Sequence, residues 1–317
     1  MAHITDRMYT KRWGVFNHYI HRMVMHNTDI SWCDAINAFD VKKLTSCLHE
    51  AGAGYYVITV CQGSRYIIAP NETYFGITGA QPGQICSQRD IISELYDELA
   101  KYDIDLYLYF PSDGPHNDPE FGAKIGLYYT DDDVYDTSDG TYRIKNGKAN
   151  KLLSENRLTD EYIRNWSSVL EEYAVRYGNK ISGWWFDGFY DFFGFDEKKI
   201  KPFYDAVKKG NSNTLTAFNN GVKKQIARWY PKEEFTAGEF NEFGYIPDSR
   251  FTDGAQSHIL APLGTGWGTS DSRYSGEYMH KYINSVNEKG GVVTVDIGVG
   301  YDGSFSEEQM KVLKAIR

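Results

Sequence analysis

Strand-like and helix-like segments alternate along nearly the whole chain, and this alternation restricts the fold more than any other feature. Trp13–Tyr19 (WGVFNHY) reads as a first strand, Ile36–Ala51 as a helix and Tyr55–Cys61 (YYVITVC) as a second strand. A helix over Asp90–Lys101 precedes a strand over Asp105–Phe110. A helix at 159–177 precedes a strand at 181–187, and a helix over Glu197–Lys208 precedes a strand over Thr214–Asn219. Phe235–Phe240 and Ile259–Pro262 are short strand candidates. The helix Glu277–Asn287 leads into the buried-looking strand Val292–Ile297. A last helix opens at Ser306, where Gln309 completes a capping-box pattern. Such an order argues for a parallel sheet. About eight strands favour a closed (β/α)8, TIM-like barrel over a doubly wound sheet, with the count softest near 225–260. A length of 317 residues suits one such barrel with insertions, so residues 1–317 read as a single domain.

Residues 111–157 break the alternation. They are rich in Asp, Gly, Tyr and Asn, and are too long for an ordinary loop. Tyr142–Gly147 suggests a small hairpin. The segment follows a strand, so it reads either as a lid or subsite wall, or as a solvated excursion. Its Asp131-Asp132-Asp133 run lacks the spaced ligands and the glycine of a calcium loop.

The net charge of −9 argues against nucleic acid or an anionic membrane as the main partner. No apolar run approaches the ~18 residues of a membrane span. The N-terminus Met1-Ala2-His3-Ile4 has no signal-peptide core, which fits a cytoplasmic protein or one whose leader has been removed. Cys33, Cys47, Cys61 and Cys86 form no C-x-x-C pair and read as structural free thiols, and no zinc-ligand spacing is present. Phosphate loops and a G-x-S-x-G elbow are also missing. No cofactor and no metal are expected.

One segment carries chemistry. Gly183-Trp184-Trp185-Phe186-Asp187-Gly188 is an aromatic run ending in a carboxylate and a glycine. Upstream, Leu158–Tyr177 has Tyr162, Trp166, Leu170, Tyr173 and Tyr177 on one helical face. Helix, break and buried strand make an α/β unit, and ligands meet the C-terminal ends of such strands. Aromatic rings stack on sugar faces, and a carboxylate there meets positive charge developing at an anomeric carbon. The same residues also read as core tryptophans and a helix-capping aspartate.

Several segments together resemble the retaining α-L-fucosidases of glycoside hydrolase family 29. Trp185-Phe186-Asp187-Gly188 is similar to that family's nucleophile motif, and Phe16-Asn17-His18 to its first strand. Arg89-Asp90, Tyr107–Ser112, Thr236-Ala237-Gly238-Glu239, Trp267-Gly268 and Val286–Gly303 follow in the family's order. The resemblance implies an exo-acting glycosidase with a carbohydrate substrate, Asp187 as nucleophile and Glu239 as acid/base. Glu242 competes for the second role, and Glu234 and Asp253 compete more weakly. His18 would donate to a sugar hydroxyl. A satisfied core histidine is the alternative for His18. Gln62, Asn219 and His258 are further candidates for the sugar site, as are Tyr107, Tyr109, Trp185 and Trp267, each of these four with core packing as its alternative. Asp296 would bind a hydroxyl or pair with a nearby base. Arg65 would meet an anionic group or simply lie at the surface.

The departures bear on specificity. Where the family carries two sugar-binding histidines this chain has Cys61-Gln62. Its Asn-Asp-Arg becomes Asn219-Asn220-Gly221, its last-strand Asn becomes Asp296, and the usual C-terminal β-sandwich is absent. A glycosidase of the same scaffold for a different or modified sugar is the alternative. A carbohydrate-binding protein that has lost hydrolysis is another.

Overall fold

A computed structural model describes residues 3–26, 28–129, 133–136, 141–144 and 158–317. Seven parallel strands form its main sheet: β1 (Trp13–Asn17), β2 (Tyr55–Thr59), β3 (Asp105–Pro111), β4 (Gly183–Asp187), β5 (Leu215–Phe218), β6 (His258–Pro262) and β7 (Val292–Ile297). Their order is β6-β7-β1-β2-β3-β4-β5. All seven are rich in β-branched and aromatic residues and are buried almost throughout, as strands covered on both faces must be.

Residues 234–240 close the ring between β5 and β6. The amides of Glu234 and Phe235 donate to the Thr216 carbonyl at 3.0 and 3.3 Å. On the other side Phe240 donates to Leu260 at 2.9 Å, and Leu260 to Gly238 at 2.8 Å. This eighth member is a set of bridges rather than the regular strand expected over Phe235–Phe240. The cause is Gly238, whose φ of +62° breaks the ladder. A Cβ there would lie 1.9 Å from the His258 carbonyl oxygen, so only glycine fits so close to β6. The edge of β5 is completed partly by side chains. The Glu234 carboxylate accepts the Thr216 amide at 2.9 Å, and that of Glu233 accepts the Phe218 amide at 2.8 Å. The result is a (β/α)8-like barrel, with no C-terminal β-sandwich among the described residues.

Expected and observed elements differ mainly at their ends. β1 stops at Asn17 and β2 at Thr59, because the chain leaves the sheet at the face where loops gather. The helix expected over Ile36–Ala51 is two helices, Trp32–Ala38 and Val41–Ala51, parted where the Asp40 side chain caps the second. Cys33 and Cys47 therefore lie on different helices, and all four cysteines are free thiols. A helix over Glu72–Thr78 was not anticipated. The helix Asp160–Tyr177 buries Tyr162, Trp166, Leu170, Tyr173 and Tyr177, the face its periodicity marks. Asp133–Asp136 pairs antiparallel with Thr141–Ile144, whereas the remainder of the proposed hairpin, 145–147, and the aspartates 131 and 132 lie outside the described residues.

Alternate residues of each strand point into the barrel. Phe16, Tyr55, Val57, Tyr107, Trp185, Phe235 and Leu260 fill its middle with Met8 from the helix Asp6–Lys11. One layer further toward the C-terminal face the inward residues become polar. No described helix is long and apolar enough to cross a membrane.

Candidate active site

The polar layer is built around Asp187, the last residue of β4. Its Oδ2 accepts the Tyr109 hydroxyl at 2.6 Å and approaches Gln62 Nε2 at 3.4 Å. Its Oδ1 accepts the Gly188 amide at 2.7 Å, Asn219 Nδ2 at 2.9 Å and, at 3.4 Å, the Tyr190 hydroxyl. Gly188 turns the chain at φ +75°, and a Cβ there would lie 2.6 Å from Ser112 Oγ.

Tyr109 is held from several sides. Its ring stacks on Trp185, with centroids 5.6 Å apart and planes at 18°. Its hydroxyl also accepts Gln62 Nε2 at 2.7 Å. The strand end just beyond it is pinned by the helix Asp160–Tyr177: Trp166 Nε1 donates to the Pro111 carbonyl at 2.7 Å, and the Tyr162 hydroxyl donates to that of Ser112. Burial, and then the Asp187 charge, push the Tyr109 phenol well above its ordinary pKa, so it remains a donor.

Asn219, at the end of β5, is fully buried and links two acids. Besides Asp187, its Nδ2 lies 2.6 Å from Glu239 Oε2. Two bonds of 2.9 and 2.6 Å to one nitrogen keep the two carboxylate oxygens within about 5.5 Å of each other. Glu239 is carried by the bridged segment just after the Gly238 kink. Trp185 braces that segment, donating Nε1 to the Ala237 carbonyl at 2.9 Å.

His18 and Asp296 face each other across the ends of β1 and β7. His18 Nδ1 lies 2.7 Å from Asp296 Oδ1, and the Gly268 amide donates to Asp296 Oδ2 at 2.6 Å. Burial raises the Asp296 pKa, while His18 and the Gly268 amide oppose it. The His18 ring lies 5.7 Å from that of Trp267 and 6.0 Å from that of Tyr109. His18, Gln62, Tyr109, Asp187, Asn219, Glu239, Trp267 and Asp296 thus gather at one end of the barrel.

Tyr107 and His258 do not join them. Tyr107 is one inward position below Tyr109 and packs among Tyr55 and Phe235. His258 Nδ1 donates to the Thr236 carbonyl at 2.9 Å, and its Nε2 meets Thr294 Oγ1 at 2.6 Å. Burial of the ring lowers its pKa to about 4, against the Thr236 and Ala237 backbone, which raises it. Both residues line a small apolar space inside the barrel. Trp185 lines it too, beneath the site rather than beside it.

The other carboxylates stand elsewhere. Glu234 pairs with Lys208 at 2.6 Å, Glu242 is exposed, and Asp253 sits in a turn at φ +50° beyond the barrel seam. Arg65 is engaged by Asp118 and by Glu120 at 3.0 Å. Cys61 is buried and its thiol pKa is raised well above the ordinary value by burial, which makes it a filler rather than a nucleophile. No group of three His, Cys, Asp or Glu among the described residues is arranged to hold a metal. Tyr190, which approaches Asp187, was not singled out in the sequence. Its only signal there is an aromatic three residues past the strand-end carboxylate.

The sequence profile of the family described as "Alpha-L-fucosidase" matches residues 9–317. No curated protein matches the chain. Among solved structures, the unliganded α-L-fucosidase AlfC from Lactobacillus casei is 18% identical with a TM-score of 0.67, over 99% of this chain and 96% of that one. A variant of AlfC in complex with Fuca(1,6)GlcNAc gives 17% and 0.62 over 99% and 96%. An endo-fucoidan hydrolase of glycoside hydrolase family 107 gives 13% and 0.69, over 98% of this chain and 63% of that one. At such identities the likeness to these structures is one of fold.

Proposed function

The chain belongs to the α-L-fucosidase family, and from that premise we propose that it is a retaining exo-glycosidase which removes a terminal α-linked, L-fucose-like sugar, with Asp187 as nucleophile and Glu239 as acid/base. The observation that carries this reading is the Asn219 amide, which keeps an oxygen of Asp187 within about 5.5 Å of one of Glu239. Retaining glycosidases need a separation of about 5–5.5 Å, and inverting ones need more room for a water.

In the first step an Asp187 oxygen bonds to the anomeric carbon as the glycosidic C–O bond breaks. Glu239 gives its proton to the departing oxygen. In the second, Glu239 takes a proton from water, the water oxygen bonds to the anomeric carbon, and the bond to Asp187 breaks. Net retention follows from two inversions. Donors from Gly188, Asn219 and Tyr109 orient Asp187 before substrate arrives, so no reorganisation is needed at reaction.

His18 has Nδ1 turned to Asp296, which leaves Nε2 as the nitrogen for a sugar hydroxyl. Gln62 supplies a neutral donor beside Asp187, and Trp267 an apolar edge. Trp185, Tyr107 and His258 serve this site from below, by packing and by bracing the Glu239 segment.

A second reading, a sugar other than plain fucose, is favoured by Gln62. Its Nε2 already serves Tyr109 at 2.7 Å, so less of it is free to read a hydroxyl than a histidine would be. A buried hydroxyl left without a partner costs roughly 1–3 kcal/mol. A panel of aryl glycosides separates the two. If plain aryl α-L-fucoside is the best substrate, with kcat/KM of ~10⁴ M⁻¹s⁻¹ or more, the second reading fails.

Asp187→Ala should reduce kcat by several orders of magnitude in a folded protein, and azide should restore turnover with an inverted glycosyl azide as product. Near-normal activity of this variant would remove Asp187 from the role. Glu239→Ala should slow substrates with poor leaving groups far more than activated aryl glycosides. Equal slowing of both would move the acid/base elsewhere.

A further inference from the structure

Beside Glu239 the loop 219–229 and the segment 237–240 border an open hollow of about 80 Å³. That is room for one small substituent rather than for a whole ligand, whose clefts span roughly 300–1,000 Å³. Asn219 and Glu239 form one end, and Lys223, Arg228 and Trp229 line the rest. The acid of a glycosidase protonates the leaving oxygen, so the leaving group must lie on the side that the acid faces.

The loop's charge runs against that of the protein. From Asn219 to Lys232 it carries Lys223, Lys224, Arg228 and Lys232 and no carboxylate, in a chain of net charge −9. Lys232 lies over the Tyr204 ring. Lys223 and Lys224 are exposed. Neither they nor Arg228 takes part in any ion pair among the described residues, although neighbouring lysines do. Arg228 Nη1 donates to the Asp253 carbonyl at 3.1 Å, but its Nε is buried with no acceptor. A buried donor on a fixed charge without a partner is unfavourable. The Arg228 guanidinium is half-buried and lines the hollow, so an anion there would meet its positive charge.

We propose that this hollow is part of the leaving-group subsite and that it takes the anionic substituent, a sulfate ester or a carboxylate, of an aglycone, paired with Lys223 and Arg228. The inference rests on Glu239 being the acid/base.

Two experiments on the whole protein test it. Aryl α-L-fucosides of matched leaving ability, one carrying a carboxylate, one a sulfate ester and one a neutral carboxamide, are compared at low salt. The anionic pair should show KM about fivefold or more below the neutral one with similar kcat. The preference should shrink in 0.5 M salt as screening sets in, and should fall toward unity in Lys223→Gln/Arg228→Gln. A preference for only one anion would identify the group. Equal KM values, or a preference that survives the double variant, would overturn the inference. The second experiment needs no turnover. Calorimetric titration with glucose 6-sulfate should give tighter binding than glucose by a similar factor, lost in Lys223→Gln, whose exposed position spares the fold. Identical affinities would overturn the inference even if hydrolysis is observed. Discrimination without hydrolysis of any glycoside would keep the subsite and sink the glycosidase reading instead.

Discussion

The indole N–H of Trp185 donates to the backbone carbonyl of Ala237 across the barrel at 2.9 Å. One side chain therefore ties the strand that ends in Asp187 to the segment that presents Glu239. Trp185→Phe retains most of the apolar fill and loses this bond. The expected outcome is a folded protein with kcat lowered about tenfold, near 1.4 kcal/mol of barrier, and KM changed less. Steady-state kinetics beside circular dichroism would check it. Unchanged kcat would show that the segment positions itself without the brace.

Asn219 distinguishes spacing from charge. Asn219→Ala removes the amide between the two carboxylates, and should lower kcat/KM about a hundredfold, the scale of losing one preorganised donor. Asn219→Asp sets a third carboxylate between them, and like charges disfavour joint ionisation. It should therefore be the worse variant and should move the pH–rate profile, whereas the alanine variant should not move it as far. The opposite ranking would mean that the amide does not mediate between the two acids.

Tyr109 offers a loss that is independent of pH. Its phenol is pushed well above the ordinary pKa by burial and then by Asp187, so it donates throughout the working range. Tyr109→Phe should reduce kcat roughly tenfold to a hundredfold by the same factor from pH 5 to pH 9. A deficit that varies across that range would indicate that the hydroxyl exchanges a proton with Asp187.

Glu233 makes stability depend on pH. It is fully buried, and burial raises its pKa to about 8 from 4.5, against backbone amides that lower it. The folded state thus holds a proton that the unfolded state has lost between these values. The contribution is complete below pH 4.5, declines as pH rises, and is gone above about 8. The stability of the native protein minus that of Glu233→Gln should therefore fall across this window, by at most ~1.4 kcal/mol per pH unit. Urea denaturation at several pH values would measure it. His258, whose pKa is lowered to about 4, acts with the opposite sign below pH 6.5. The difference between the two proteins is needed to remove its part. A flat difference would mean that Glu233 is ionised throughout.

Most of the barrel was legible because its strands are apolar on both faces and its helices carry one apolar stripe. The Tyr162-to-Tyr177 face is the clearest case. Two kinds of feature were not legible. Inward residues recur every second position, so Tyr107 and Tyr109 share a face and nothing local says which belongs to the polar layer. The register against β4 decides it, with Tyr109 opposite Trp185 and Pro111 opposite Asp187. The eighth member was the other difficulty. Gly238 replaces a regular ladder with bridges, so no alternating pattern marks 234–240. Asn219 was picked out as a sugar ligand, and its contact with both carboxylates depends on that same seam, 20 residues away in the chain. The split at Phe39-Asp40 was readable in principle, since an aspartate three residues before Lys43 is a cap.

The seam beside β5 has a consequence for how this protein tolerates change. Elsewhere the ring is closed by backbone amides and carbonyls, which every residue but proline supplies. At Thr216 and Phe218 the acceptors are the side chains of Glu234 and Glu233. Closure there is written in two particular codons. Mutational robustness should be lowest at these two positions, although neither touches the carboxylates that define the chemistry.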